Sequence, residues 1–63
     1  MKVDVFNGSE WIERDSKMYN GVDNIENIES IYGLGEEIRV EYKSGIRVVY
    51  KNVFGTYVAQ YQV

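Results

Sequence analysis

Residues Glu37 to Val53 read EIRVEYKSGIRVVYKNV, and the fold turns on this stretch. Ile38, Val40 and Tyr42 alternate with Arg39, Glu41 and Lys43, and Ile46, Val48 and Tyr50 alternate with Arg47, Val49 and Lys51. Alternation with period two is the pattern of a half-buried strand. A two-residue loop at Ser44-Gly45 would mix apolar and charged side chains on both faces. A three-residue loop, Lys43-Ser44-Gly45, opposes Tyr42 to Ile46, Val40 to Val48 and Ile38 to Tyr50. All six apolar side chains then share one face, and Glu41 meets Arg47 on the other. Loops of that length want a left-handed residue at their last position, where Gly45 stands. Register follows the buried face. The stretch is therefore read as a β-hairpin closed by a three-residue loop. Its outer face carries Arg39, Lys43, Arg47 and Lys51, a basic stripe interrupted by Glu41 and Val49.

Upstream, MKVDVF leads into Asn7-Gly8, a strong signal for a two-residue type I′ hairpin. That loop would set Val3 opposite Ile12, Asp4 opposite Trp11 and Lys2 opposite Glu13. Val3, Val5 and Ile12 fall on one face, Phe6 and Trp11 on the other. Trp11, the sole tryptophan, reads either as a core residue or as an exposed anchor for a partner. Arg14 to Gly21 is a polar loop, with Met18 and Tyr19 expected to turn inwards. Val22, Ile25, Ile28 and Ile31 then recur every three residues, with Asp23, Glu26 and Glu29 between them. This predicts at most a short helical turn near residues 23–29, favoured at 23–27, before a strand at 28–32. A single helix from Asp23 to about Glu29 is the alternative.

Downstream, TYVAQYQV alternates Tyr57, Ala59, Tyr61 and Val63 against Val58, Gln60 and Gln62. Its β-branched and aromatic content favours a strand running to the last residue over a helix presenting Phe54, Val58 and Tyr61. A terminal strand with no charge is an edge that invites pairing, so Tyr57, Val58, Tyr61 and Val63 are the candidate self-association residues. The expected fold is all-β or β-dominated α+β. It is a small, strongly twisted antiparallel sheet of about five strands, curling towards a barrel. The predicted core is Val3, Val5, Ile12, Ile28, Ile38, Val40, Tyr42, Ile46, Val48, Tyr50, Val53 and Tyr57.

The 63 residues make a single domain, 1–63. A chain this short buries only ~60% of its unfolded surface and usually needs a disulfide, a metal or a partner. Cysteine and histidine are both absent. That removes disulfides, nearly all zinc, iron and copper sites, and the Ser-His and Cys-His nucleophiles. No cofactor and no catalytic activity are expected. Gly33-x-Gly35 precedes a strand rather than a helix, which makes it a turn and not a phosphate loop. No apolar run approaches the length of a membrane span, and a cytoplasmic location fits the lack of cysteine. Oligomerisation, in the first place a homodimer, is the remaining source of stability.

Charge is unevenly placed. Residues 1–37 hold three cations against nine carboxylates, and residues 38–63 hold four cations against one carboxylate. Asp23, Glu26, Glu29, Glu36 and Glu37 follow one another without an intervening Lys or Arg. With Trp11, they are the candidate partner-binding residues, an acidic surface able to occupy a basic groove on another protein. The alternative is nucleic-acid binding through Arg39, Lys43, Arg47 and Lys51. Against it, the register sends Tyr42 and Tyr50 to the opposite face, and the net charge of −3 lacks the usual basic footprint.

Ile28, Ile31, Tyr32, Ile38, Val40, Tyr42, Gly45, Tyr50 and Val53 resemble the β-meander of the KTSC domain family. The resemblance covers residues 28–53 and implies fold only, and that family's C-terminal helix has no counterpart in residues 54–63. In size and in lacking Cys and His, the chain also resembles small phage or prophage accessory proteins, several classes of which bind and block enzymes of a bacterial host. The expected function is non-catalytic protein binding, as an inhibitor of that type acting through the acidic face. A nucleic-acid-binding β-domain and a self-assembling structural accessory are the alternatives.

Overall fold

The computed structural model describes all residues, Met1 to Val63. Six strands run in the order β1 (Lys2–Phe6), β2 (Trp11–Asp15), β3 (Ile28–Tyr32), β4 (Glu37–Tyr42), β5 (Arg47–Val53) and β6 (Thr56–Gln62). They form one sheet in the spatial order β2-β1-β3-β4-β5-β6. The β4–β5 hairpin has the register its letters demand: Glu41 opposes Arg47, Val40 opposes Val48 and Ile38 opposes Tyr50. Its loop is closed by Tyr42 N–H donating to the Ile46 carbonyl at 2.8 Å, with Gly45 at φ +94°.

The first hairpin is displaced from its expected pairing. Val5 opposes Ile12 and Phe6 opposes Trp11, two residues away from the register that an Asn7-Gly8 loop would impose. The tip is Gly8-Ser9, and the Asn7 side chain flanks it, accepting from the backbone N–H groups of Ser9 and Glu10 at 2.8 and 2.9 Å. Asparagine can hold a turn through its side chain as well as by adopting positive φ, and here it does the former. A slip of two residues leaves each side chain on its expected face, because side chains alternate with period two.

The sheet is mixed rather than purely antiparallel. β1 and β3 run parallel, with Val5 beside Ile31 and Phe6 beside Tyr32. Parallel neighbours need a crossover; β2 returns the chain and residues 16–27 carry it on past β1 to β3, with two short 3₁₀ turns at Ser16–Met18 and Ile25–Asn27. The three-residue recurrence of Val22, Ile25, Ile28 and Ile31 therefore has a mixed origin. One part is a 3₁₀ turn, whose period is three. The other is a bulge between Ile28 and Ser30, which lets Ile28 and Ile31 both face inwards from one strand.

Six strands laid flat would span about 24 Å and be thin. Instead the Cα envelope measures 25 × 24 × 22 Å, so the sheet curls. It does not close into a barrel: β2 and β6 are its edges. The crossover spans the open side, where Tyr57 N–H donates to the Asn20 carbonyl at 2.7 Å. Under it lies the core of Val3, Val5, Tyr19, Val22, Ile28, Ile31, Ile38, Val40, Tyr42, Tyr50 and Tyr57, with Ile12, Ile25 and Val48 packed at its border. Tyr19 and Tyr57 stack at 5.9 Å between ring centres. Two predicted core residues lie outside. Ile46 sits at the hairpin end and Val53 on the outer face next to a turn, and both are nearly half exposed. No helix is long and apolar enough to cross a membrane.

Candidate functional site

Strand alternation divides the sheet into the covered face just described and an outer face under no other element. One row of side chains crosses all six strands on that outer face. Register places Trp11 beside Phe6, Phe6 beside Tyr32, Tyr32 beside Arg39, Arg39 beside Val49 and Val49 beside Tyr61. At one end Trp11, Phe6 and Tyr32 form a cluster in which every pair touches. Ring centres lie 5.2 Å apart for Phe6–Trp11, 5.3 Å for Trp11–Tyr32 and 6.3 Å for Phe6–Tyr32, all tilted or edge-on. Such geometry sets the positive edge of one ring against the negative face of another. Phe6 is partly buried beneath its neighbours, while Trp11 and Tyr32 remain 49% and 40% exposed.

Beside the cluster lies an open groove of about 520 Å³, walled by Tyr32, Glu37, Arg39, Glu41, Arg47 and Val49. Val49 is buried although it faces away from the core. Its neighbours in the row, Arg39 and Tyr61, flank it on either side. Arg47 Nε donates to Glu41 Oε2 at 3.4 Å, the sole ion pair in the structure. Asp4, Glu13, Asp15, Glu37 and Glu41 share this face with Lys2, Arg39, Arg47 and Lys51, so its charge is mixed. Three residues of the expected basic stripe, Arg39, Arg47 and Lys51, lie on this face among carboxylates. Lys43 falls in the hairpin loop, where its N–H donates to the Asn27 carbonyl.

The five carboxylates expected to form one acidic surface do not. Asp23 and Glu26 lie in the crossover at the Tyr42 end of β4, since Tyr42 Oη donates to the Asp23 carbonyl at 2.7 Å. Glu36 and Glu37 lie at the opposite end of that strand, roughly 16 Å away at 3.3 Å per residue. Glu29, at the β3 bulge, lines a shallow depression with Asp4, Trp11 and Glu41. None of the ten carboxylates in the chain is buried. Asp15 is held below the usual carboxylate range, chiefly by the Lys17 backbone N–H that its side chain accepts at 3.0 Å.

Of the expected self-association residues, Val58 and Tyr61 on β6 and Val63 just beyond it are exposed, whereas Tyr57 is buried and its hydroxyl donates to the Gly35 carbonyl at 2.6 Å. The β6 edge is also interrupted. Asn20 occupies the Tyr57 N–H, and the register shifts between Val49 and Tyr50 where Gln60 bulges out.

A second cavity, about 520 Å³, lies between the crossover, the β4–β5 loop and the end of β6, with Tyr42 and Tyr50 among its walls. Burial, the hydrogen bond with Tyr50 and nearby charge push the Tyr42 hydroxyl well above the ordinary tyrosine range. Sequence reading missed Tyr32 as a member of the outer row, because the bulge at Glu29 breaks the alternation that would have placed it. Phe6 was legible: alternation puts it on the same face as Trp11.

Neither a family model, nor a curated protein, nor a solved structure matches this chain.

Proposed function

We propose that the chain is a non-catalytic protein-binding module whose contact surface is the outer face of the sheet. The observation that carries this reading is the Trp11–Phe6–Tyr32 cluster. Two large aromatic rings stand half exposed, supported from below by a third, with Arg39 next in the row. Trp, Tyr and Arg are the side chains that dominate binding energy at protein interfaces, because they fill well-packed, desolvated positions with large contact area. Around them Arg39, Arg47, Lys51, Asp4, Glu37 and Glu41 form a polar rim of both signs, which favours register and selectivity over bulk attraction.

An inhibitor acting through one continuous acidic surface has less support, since its carboxylates divide between the two ends of β4. A single-stranded nucleic acid is the second reading. Its support is that Phe6, Trp11, Tyr32 and Tyr61 lie in one row with Arg39, the combination on which bases stack. Five carboxylates against four cations on the same face weigh against a phosphate backbone.

The experiment is capture of partners by the tagged chain with and without nuclease, beside a Trp11→Ala/Tyr32→Ala variant checked for folding by circular dichroism. A protein retained after nuclease by the parent chain and lost by the variant is the expected result. Retention by both overturns the assignment of this face. Material that vanishes with nuclease promotes the nucleic-acid reading.

A further inference from the structure

Arg14 is a cation without an anion. On β2 it follows Ile12 on the covered face, opposite Val3, so alternation directs it under the crossover. Its Nε is shut off from water and has no hydrogen-bond partner. One Nη donates only to the Met18 thioether, at 3.7 Å, a weak acceptor. The structure contains ten carboxylates, yet its one ion pair joins Arg47 to Glu41 and leaves Arg14 alone. Withdrawing a guanidinium N–H from water without an acceptor is unfavourable, so buried or half-buried arginines are normally paired.

A cavity of about 150 Å³ opens beside this side chain, lined by Arg14, Met18, Tyr19, Leu34, Gly35 and Tyr57. Its walls are largely apolar: the stacked rings of Tyr19 and Tyr57, with the exposed side chains of Met18 and Leu34 at the mouth. The Tyr57 hydroxyl is already committed to the Gly35 carbonyl, which leaves the guanidinium as the strong unsatisfied donor. The cavity is open to solvent and has room for a short group of a few heavy atoms.

We propose that Arg14 and this cavity form a binding site for a carboxylate carried on a short apolar stem. The Nη edge of the guanidinium, the part not shut off from water, takes the carboxylate oxygens in place of the Met18 sulfur. The stem lies between Met18, Leu34 and the tyrosine pair. Phosphate, more strongly hydrated and without a stem, gains nothing from those walls. The ligand chemistry is the same whether the carboxylate belongs to a free small acid, to a Glu side chain or to the C-terminus of a partner. The site faces away from Trp11 and does not depend on the outer-face assignment.

The full-length chain, labelled with ¹⁵N, provides the test through the Nε–Hε signal of Arg14, identified by its absence in Arg14→Gln. Sodium butyrate is titrated at constant ionic strength, with chloride and inorganic phosphate as comparisons. The expected result is a saturable shift with butyrate at least tenfold tighter than with phosphate, and none with chloride. Short peptides distinguish the sources: one with a free C-terminus, the same peptide amidated, and an amidated peptide with an internal Glu. A linear shift of equal size for all three anions overturns the site. Thermal melting supplies a second readout. Butyrate is expected to raise the melting temperature of the parent chain, and Arg14→Met to raise it without ligand and abolish the butyrate effect. A butyrate effect undiminished in Arg14→Met overturns the proposal.

Discussion

The hydroxyls of Tyr42 and Tyr50 lie 2.7 Å apart and together grip the backbone of Asp23. The direction of each hydrogen bond follows from proton counting. The Asp23 carbonyl can only accept, so the single Tyr42 proton goes to it; Tyr50 must then donate to Tyr42 while accepting the Asp23 N–H at 3.3 Å. Three hydrogen bonds close a ring that pins the crossover to the central hairpin. Either Tyr→Phe change leaves partners of the ring unmatched, at a cost of about 1–3 kcal/mol. Urea unfolding should show a lower midpoint for Tyr42→Phe and Tyr50→Phe, with the double variant less than additive because both act in one network.

Alkaline pH should loosen the same ring. Tyr42 holds its proton more tightly folded than unfolded, so its contribution is complete below the unfolded tyrosine value, about 10. Above that pH the unfolded state has lost a proton that the native state keeps, and stability falls as pH rises towards the folded value. Denaturant midpoints measured from pH 8 to 11 should therefore decline above about pH 10, and less steeply in Tyr42→Phe.

The docking of the crossover on β6 rests on Gly21. Its φ is +97°, and an added Cβ would stand 2.3 Å from the Tyr57 carbonyl oxygen and 2.7 Å from Thr56 Cγ2. The first of these is backbone and cannot swing away. Gly21→Ala should destabilise the fold by about 2 kcal/mol or more, combining left-handed strain with displacement of the segment. Hydrogen exchange at the Tyr57 N–H, which donates to Asn20, should speed up more than at the β4–β5 ladder.

At the β5–β6 turn, Phe54 is fully exposed at φ +51°, next to Gly55 at +86°. Positive φ at both central residues is what a two-residue type I′ turn requires, and Asn suits the first of them far better than Phe. Phe54→Asn should stabilise the chain by about 0.5–1 kcal/mol, read as a higher thermal midpoint with an unchanged fold.

The Glu41–Arg47 pair is the clearest electrostatic contact yet contributes little. Arg47 is more than half exposed, and such pairs contribute about 0–1 kcal/mol. Glu41→Gln should shift the urea midpoint by less than Tyr50→Phe does, and 0.5 M salt should leave the parent chain's stability almost unchanged.

What could be determined from the letters was local and periodic. The β4–β5 hairpin, its loop length and its Glu41–Arg47 pairing follow from alternation plus one glycine, since period two leaves a single register with all apolar residues on one side. The β-rich class, the C-terminal strand (one residue shorter than expected) and the shared face of Phe6 and Trp11 follow in the same way. Tertiary structure alone decided the rest, because those features depend on groups far apart in the chain. The parallel β1–β3 pairing, the crossover that buried Val22 yet left Met18 exposed against expectation, and the bulge that brought Tyr32 to Trp11 all need a third element to exist. So does the isolation of Arg14: a sequence shows ten carboxylates that could neutralise it, and only the packed chain shows that none comes within reach.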